Sequence, residues 1–346
     1  MPGEGNLRIV RNREPDMGRG VGRDVKARAA PRPSPRAKPS ASGRRIVPAS
    51  NTDWVANSYR KVHPLIGALQ RHIVSENERI NGVRDVAVSG YIHPSSASKG
   101  DWCPRSSWYE VMGAPATPPP SIGHRLANVF AEGHEIHDKY QRWFTQMGIL
   151  IGMWECLICG YQQWGKGMQT SCHFCLGDRF RYAEVPVEDE DLMIRGAGDG
   201  IVDLDEHQSL IEIKSIGLRS IELDYPKLYK PYKEGTLDLD GLWASIKAPF
   251  PWHVRQATLY LHLLRTRWPE INDIIFIYEF KGNQDVKAFT IGYQPELISH
   301  IIKSAREIVT AVDEQRVVRR PAWAESPATK TCKVCPYRAT CWQGAA

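Results

Sequence analysis

Two carboxylates and a lysine lie close enough in this sequence to share one site. The run Arg195 to Asp203, RGAGDGIVD, is followed by Ser209 to Ser215, SLIEIKS, with the polar link Asp205 to Gln208 between them. Alternating apolar residues on either side of that link predict a β-hairpin. With Leu204 paired to Ser209, Asp199 falls opposite Lys214 and diagonal to Glu212, on one face, because strand side chains alternate. Such a group suits phosphodiester hydrolysis. Carboxylates hold Mg²⁺ or Mn²⁺, the cation activates water and offsets developing charge, and a lysine orients that water. Glu-x-Lys alone also decorates many solvated strands, so its weight comes from its neighbours. Asp203, likewise diagonal to Glu212, is the alternative metal ligand.

Upstream, Gly133-His134-Glu135-Ile136-His137 reads as helix, with His137 a further candidate ligand, His134 its competitor and Gly133 permitting close approach. Downstream, Gln256 and Tyr260 stand one helical turn apart, where an amide and a phenol can meet a catalytic group or a DNA backbone.

The eight cysteines fall into two sets of four. Cys156-x-x-Cys159 and Cys172-x-x-Cys175, twelve residues apart, have the spacing of a zinc ribbon over residues 153–178. Cys103, Cys332, Cys335 and Cys341 remain. Thiolate ligation of a four-iron cluster fits this second set, with zinc as the structural alternative, and either would staple the chain's two ends.

Taken in order, Gly133-xxx-His137, Gly196-xx-Asp199, Glu212-x-Lys214 and Gln256-xxx-Tyr260 resemble the motifs of the RecB-like branch of the PD-(D/E)xK nucleases. Cys103-Pro104-Arg105 early and Cys332, Cys335 and Cys341 late resemble the frame of the CRISPR-associated Cas-four exonucleases and their phage-encoded relatives. The resemblance spans about residues 88 to 342 and lacks a proline before the aspartate. It implies a mixed α/β (α+β) restriction-endonuclease-like core with metal ligands His137, Asp199 and Glu212, and Lys214 as the water-orienting group. It also implies a 4Fe-4S cluster on the second cysteine set, including the motif at 329–346, and a DNA exonuclease acting on single-stranded or frayed ends. A structure-selective endonuclease, a processor of CRISPR spacer precursors and a DNA-binding scaffold remain alternatives. Recombination or CRISPR-adaptation proteins would be its partners, in the cytoplasm of a bacterial or phage-infected cell.

The elements that position these residues follow from composition and periodicity. Residues 1–50 carry 12 Lys/Arg against 4 Asp/Glu and are rich in Pro, Ser and Gly, a composition expected to form a disordered basic tail. The nuclease domain is expected over 51–346. Asn51-Thr52-Asp53 can cap one helix, and a second should begin after Ser121 and run through His124 to Phe144, with apolar Leu126, Val129, Phe130, Ile136 and Trp143. Strands are expected within 180–216, at 274–280 and at 286–291, with helices at 256–264 and 295–315. The loop from Ser215 to Trp252 interleaves rings with lysines, so Lys227, Tyr229, Lys230 and Lys233, together with Arg105, are candidate DNA contacts. No run of 18 apolar residues is present, which predicts a protein without a membrane span.

Overall fold

The computed structural model describes residues 64–88, 90–118 and 121–343. The expected basic tail and the cap at Asn51-Thr52-Asp53 lie outside the described residues. Helix α1 is Pro64–Val88, α2 Pro94–Ala97, α3 Pro104–Val111 and α4 His124–Gln146; strands follow as β1 Leu150–Cys156, β2 Gln162–Lys166, β3 Phe180–Tyr182, β4 Val185–Asp189, β5 Ile194–Gly198, β6 Gly200–Leu204 and β7 His207–Ile216. Next come α5 Leu218–Asp224, α6 Pro226–Lys233, α7 Leu239–Ser245 and α8 Pro251–Leu264. Strands β8 Asp273–Phe280 and β9 Val286–Gly292 precede α9 Ser299–Asp313, α10 Lys330–Lys333 and α11 Arg338–Trp342. This is a mixed α/β protein built on a central sheet.

The main sheet runs β2-β1-β6-β7-β8-β9, with β3 attached to β1, while β4 and β5 form a separate pair. Among the paired strands of the described residues only β7 and β8 are parallel, and the long α5–α8 connection provides the crossover that a parallel pair needs. Strand alternation divides the sheet's side chains. Leu210, Phe276, Tyr278 and Ile216 share a core with Ala257, Leu261 and Leu264 of α8. On the other face Ile211 and Ile213 pack with Ile136 and Tyr140 of α4. Full burial of each such residue contributes about 1.5–3 kcal/mol.

The β6–β7 hairpin closes tighter than the sequence predicts. Leu204 pairs with His207, not Ser209, because Asp205 and Glu206 have φ of 51° and 66° and make a two-residue turn of type I′, whose twist matches the strands. The register therefore shifts by two residues. An even shift keeps every side chain on its expected face, but one step beyond Gly200↔Ile211 it sets Asp199 across from Glu212 instead of Lys214.

Two further expectations change. On α4, Ile136 is buried, but Leu126, Val129, Phe130 and Trp143 are exposed, so the inner face is formed instead by Ala127, Ile136, Tyr140, Gln141 and Thr145. The segment after Ser215 is not a loop but the three helices α5, α6 and α7. Among the described residues no helix is long and apolar enough to cross a membrane.

Candidate functional site

Asp199 is the single residue between β5 and β6, where the chain leaves the two-stranded sheet and enters the main one. Small neighbours make this passage possible. A Cβ on Gly200 would lie 2.6 Å from Leu150 Cδ1, and one on Gly196 would lie 3.0 Å from the Tyr260 ring. Gly133, by contrast, has ordinary space around it, 3.7 Å from Ser215 Oγ, so its expected role in close approach has no steric basis here.

The Asp199 carboxylate is nearly buried. Its Oδ2 accepts from the Ile213 amide at 2.6 Å, and its Oδ1 stands 3.2 Å from His137 Nδ1. The Asp199 carbonyl accepts from Gln141 at 3.0 Å and from the Tyr182 hydroxyl at 3.2 Å. Gln141, one turn beyond His137 on α4, and Tyr182 on β3 thus fix the backbone that carries the carboxylate; neither belongs to a recognisable motif. His134 faces solvent.

Glu212 is 1 % exposed, and Lys214 Nζ lies 2.5 Å from its Oε1. The ammonium is close but poorly aligned, and neither Glu212 oxygen has a well-directed donor among the described residues. Burial pushes Glu212 up to about 7; Lys214 opposes this and the Asp199 charge adds to it. Burial acts the same way on Asp199, but His137, Lys214 and the Ile213 amide outweigh it and hold that carboxyl below the usual carboxylate range. For Lys214, desolvation is outweighed by Glu212 and Asp199, which keep it protonated. His137 is likewise raised, because Asp199 more than offsets its burial.

From α8, Gln256 Nε2 donates to Tyr260 Oη at 3.2 Å, and both residues are buried. Burial and then the Glu212 charge raise the Tyr260 phenol, which stays protonated. Its oxygen accepts from Gln256, so its hydrogen is free to turn toward another acceptor.

The structure gathers one residue that the motifs did not indicate. Ligand atoms of His137, Glu184 and Asp199 lie within 4.8 Å of one another and could hold a metal ion. Asp203 is elsewhere, paired with Lys166 at 2.9 Å.

The thiols of Cys156, Cys159, Cys172 and Cys175 also lie within 4.8 Å of one another, a second group that could hold a metal. Burial would raise Cys156, but the Ile158 and Cys159 amides bring it down to about 7, toward a thiolate. This unit is less separate than a ribbon insertion suggests: β1 pairs Leu150 with Val202 of the core and ends at Cys156. Cys103, Cys332, Cys335 and Cys341 form no such tight group among the described residues, yet all four line one cavity of ≈ 320 Å³. Thr331 donates to Asp101 at 2.9 Å and the Tyr109 and Tyr337 rings stack at 5.4 Å, so the distant segments are joined beside that cavity.

Among the suggested DNA contacts, Lys227, Lys230 and Lys233 are exposed at three-residue spacing on α6, whereas Tyr225, Tyr229 and Tyr232 pack against the core. Arg105 donates to the Val318 carbonyl at 3.2 Å and to Tyr109 at 3.3 Å, inside the junction of the distant segments.

No family model and no curated protein matches this sequence. Among solved structures, the alkaline exonuclease LHK-Exo from Laribacter hongkongensis is 12% identical with a TM-score of 0.34, covering 66% of this chain and 91% of its own. Its complex with dAMP gives 13% identity, a TM-score of 0.34 and the same coverages. SSO0001 is 12% identical with a TM-score of 0.37, covering 78% of this chain and 97% of its own. Similarity at this level carries no functional conclusion.

Proposed function

We propose that the chain is a metal-dependent DNA nuclease that works as an exonuclease on single-stranded or frayed ends. The observation that carries this reading is the pairing of His137 from α4 with Asp199 at the β5–β6 junction, next to the Glu212–Lys214 pair of β7, whose charges act on Asp199 and His137. A buried carboxylate such as Glu212 needs cationic neighbours; Lys214 is one, and a divalent ion would be a second. One imidazole with several carboxylates is a donor set suited to Mg²⁺ or Mn²⁺.

His137, Asp199 and Glu212 would hold the cation, which supplies an activated water and offsets charge on the scissile phosphate. Lys214, kept protonated, would orient the attacking water by donating to its oxygen. Tyr260 turns its hydroxyl toward the phosphate backbone while Gln256 fixes its oxygen. The exposed lysines of α6 give the strand a phosphate track. At the tight cysteine group the spacing suits Zn²⁺, and at the wider four-cysteine cavity a 4Fe-4S cluster.

The test is incubation with end-labelled linear and circular DNA, single- and double-stranded, in Mg²⁺, Mn²⁺ or EDTA. Loss of linear DNA alone, blocked by EDTA, is the expected result. Cleavage of circles would make the enzyme an endonuclease, and intact DNA under every condition would leave a binding scaffold.

A further inference from the structure

Glu184 lies outside every motif, yet three independent features bring it to the site. The β4–β5 register ends at Val185↔Gly198, and one further step sets Glu184 across from Asp199. Asp199 thus stands one step past the end of both ladders, with Glu184 next in register along one and Glu212 along the other. Glu184 also offers a carboxylate oxygen within 4.8 Å of ligand atoms on both His137 and Asp199. Its charge reaches Lys214, Tyr182 and Tyr260, which places the carboxylate among the residues that surround Glu212. By contrast Glu188, farther along β4, is exposed and paired with Arg195 at 3.0 Å.

What holds Glu184 there is strand β1, which ends in the cysteine unit. Glu184 has φ of 60°, a left-handed conformation that costs a non-glycine residue about 1–2 kcal/mol and so needs outside support. That support is an exchange with β1: the Met153 amide donates to the Glu184 carbonyl at 2.8 Å, and the Ala183 amide donates to the Met153 carbonyl at 2.8 Å. The pairing continues through Trp154↔Tyr182 and Glu155↔Arg181 to Cys156↔Phe180, reaching the first thiol of the group. Among the described residues strand β3 pairs with β1 alone, and the Leu157 amide, donating to the Arg179 carbonyl at 2.9 Å, closes the ladder beside the thiols. Without a metal there, nothing ties the four sulfurs together, and the ladder that fixes Glu184 loses the clamp at its outer end.

We propose that Glu184 is an additional ligand side chain of the divalent-cation site, and that the metal-loaded cysteine unit holds it in place. This rests on the cation site proposed above and deepens it: one metal site assembles part of the other.

The experiment is Mn²⁺ titration of the full chain, zinc loaded, followed by electron paramagnetic resonance of free Mn²⁺. Glu184→Gln, which is isosteric and leaves the cysteines intact, should weaken Mn²⁺ binding at least about tenfold, the lower end of what even outer-sphere partners of a metal contribute. Glu188→Gln should bind as wild type. Cys159→Ser should weaken Mn²⁺ to a similar degree, and combining it with Glu184→Gln should add little, since both remove the same contribution. Full additivity would overturn the role of the cysteine unit. Binding by Glu184→Gln as tight as wild type, while Asp199→Asn fails to bind, would overturn the ligand assignment and leave the nuclease reading standing. Wild-type protein that binds Mn²⁺ but leaves all DNA intact would end the nuclease reading and leave Glu184 in its site.

Discussion

Lys166 of β2 holds Asp203 in an ion pair at 2.9 Å, on the side of the hairpin that leads to its turn. Asp199, four residues earlier, has His137 and the Ile213 amide as partners instead. The two aspartates of the overlapping Gly-xx-Asp motifs therefore differ in surroundings. Asp199→Asn should lower kcat/KM at least about 100-fold, since loss of a ligand should exceed the effect of losing an outer-sphere partner. Asp203→Asn should cut DNA near the wild-type rate, because an exposed ion pair contributes little. Steady-state cleavage of a labelled strand measures both, and the reverse order would move the cation to Asp203.

Lys214→Ala and Glu212→Ala should each abolish cleavage while DNA affinity, measured by fluorescence anisotropy, stays close to wild type. Glu212 is buried and the Lys214 side chain is turned back onto it, so both are expected to act on the water and the cation rather than on the backbone grip. Near-normal turnover in either variant would end the assignment of these residues.

Much of the site's content was legible because it rests on parity and spacing. Strand alternation alone puts Glu212 and Lys214 on one face, and that survives the two-residue register shift at Asp205-Glu206. The shift itself was hidden, since non-glycine residues rarely take positive φ and a four-residue polar link looked equally natural. Glu184 was hidden for a different reason. Its place depends on β4–β5 pairing and on β1, a strand shared between the cysteine unit and the core, and neither relation leaves a local pattern. Helix α6 leaves little helical signature in the sequence, because Pro226 and Pro231 fall within it, the first at an N-terminal position that tolerates proline.

That helix separates charge from aromatic character. Replacing Lys227, Lys230 and Lys233 together by Ala should reduce the salt dependence of DNA binding, by about 0.7–0.9 in slope for each phosphate no longer neutralised, without lowering the melting temperature. Tyr229→Ala should instead destabilise the fold by about 1–3 kcal/mol, because its ring packs against the core. Isothermal binding across a salt series, alongside denaturant melts, separates the two effects. An unchanged slope in the triple variant would remove α6 from the DNA path.

The two cysteine sets should bind different metals, and the difference follows from how far apart the sulfurs stand. Four thiols within 4.8 Å of one another suit one tetrahedral ion, so Cys156, Cys159, Cys172 and Cys175 should carry Zn²⁺. Cys103, Cys332, Cys335 and Cys341 instead ring a cavity of ≈ 320 Å³, space for a four-iron cluster rather than a single ion. Anaerobically purified protein should be brown, with broad absorbance near roughly 400 nm from thiolate-ligated iron. Cys335→Ser should bleach it and loosen the junction where Thr331 meets Asp101 and Tyr337 stacks on Tyr109. Cys159→Ser should keep the colour and lose zinc. Elemental analysis decides the matter: zinc in both sets and no iron, in well-folded anaerobic protein, would refute the cluster while leaving the hydrolytic site untouched, because the cavity lined by Cys103, Cys332, Cys335 and Cys341 includes none of His137, Asp199, Glu212 and Lys214.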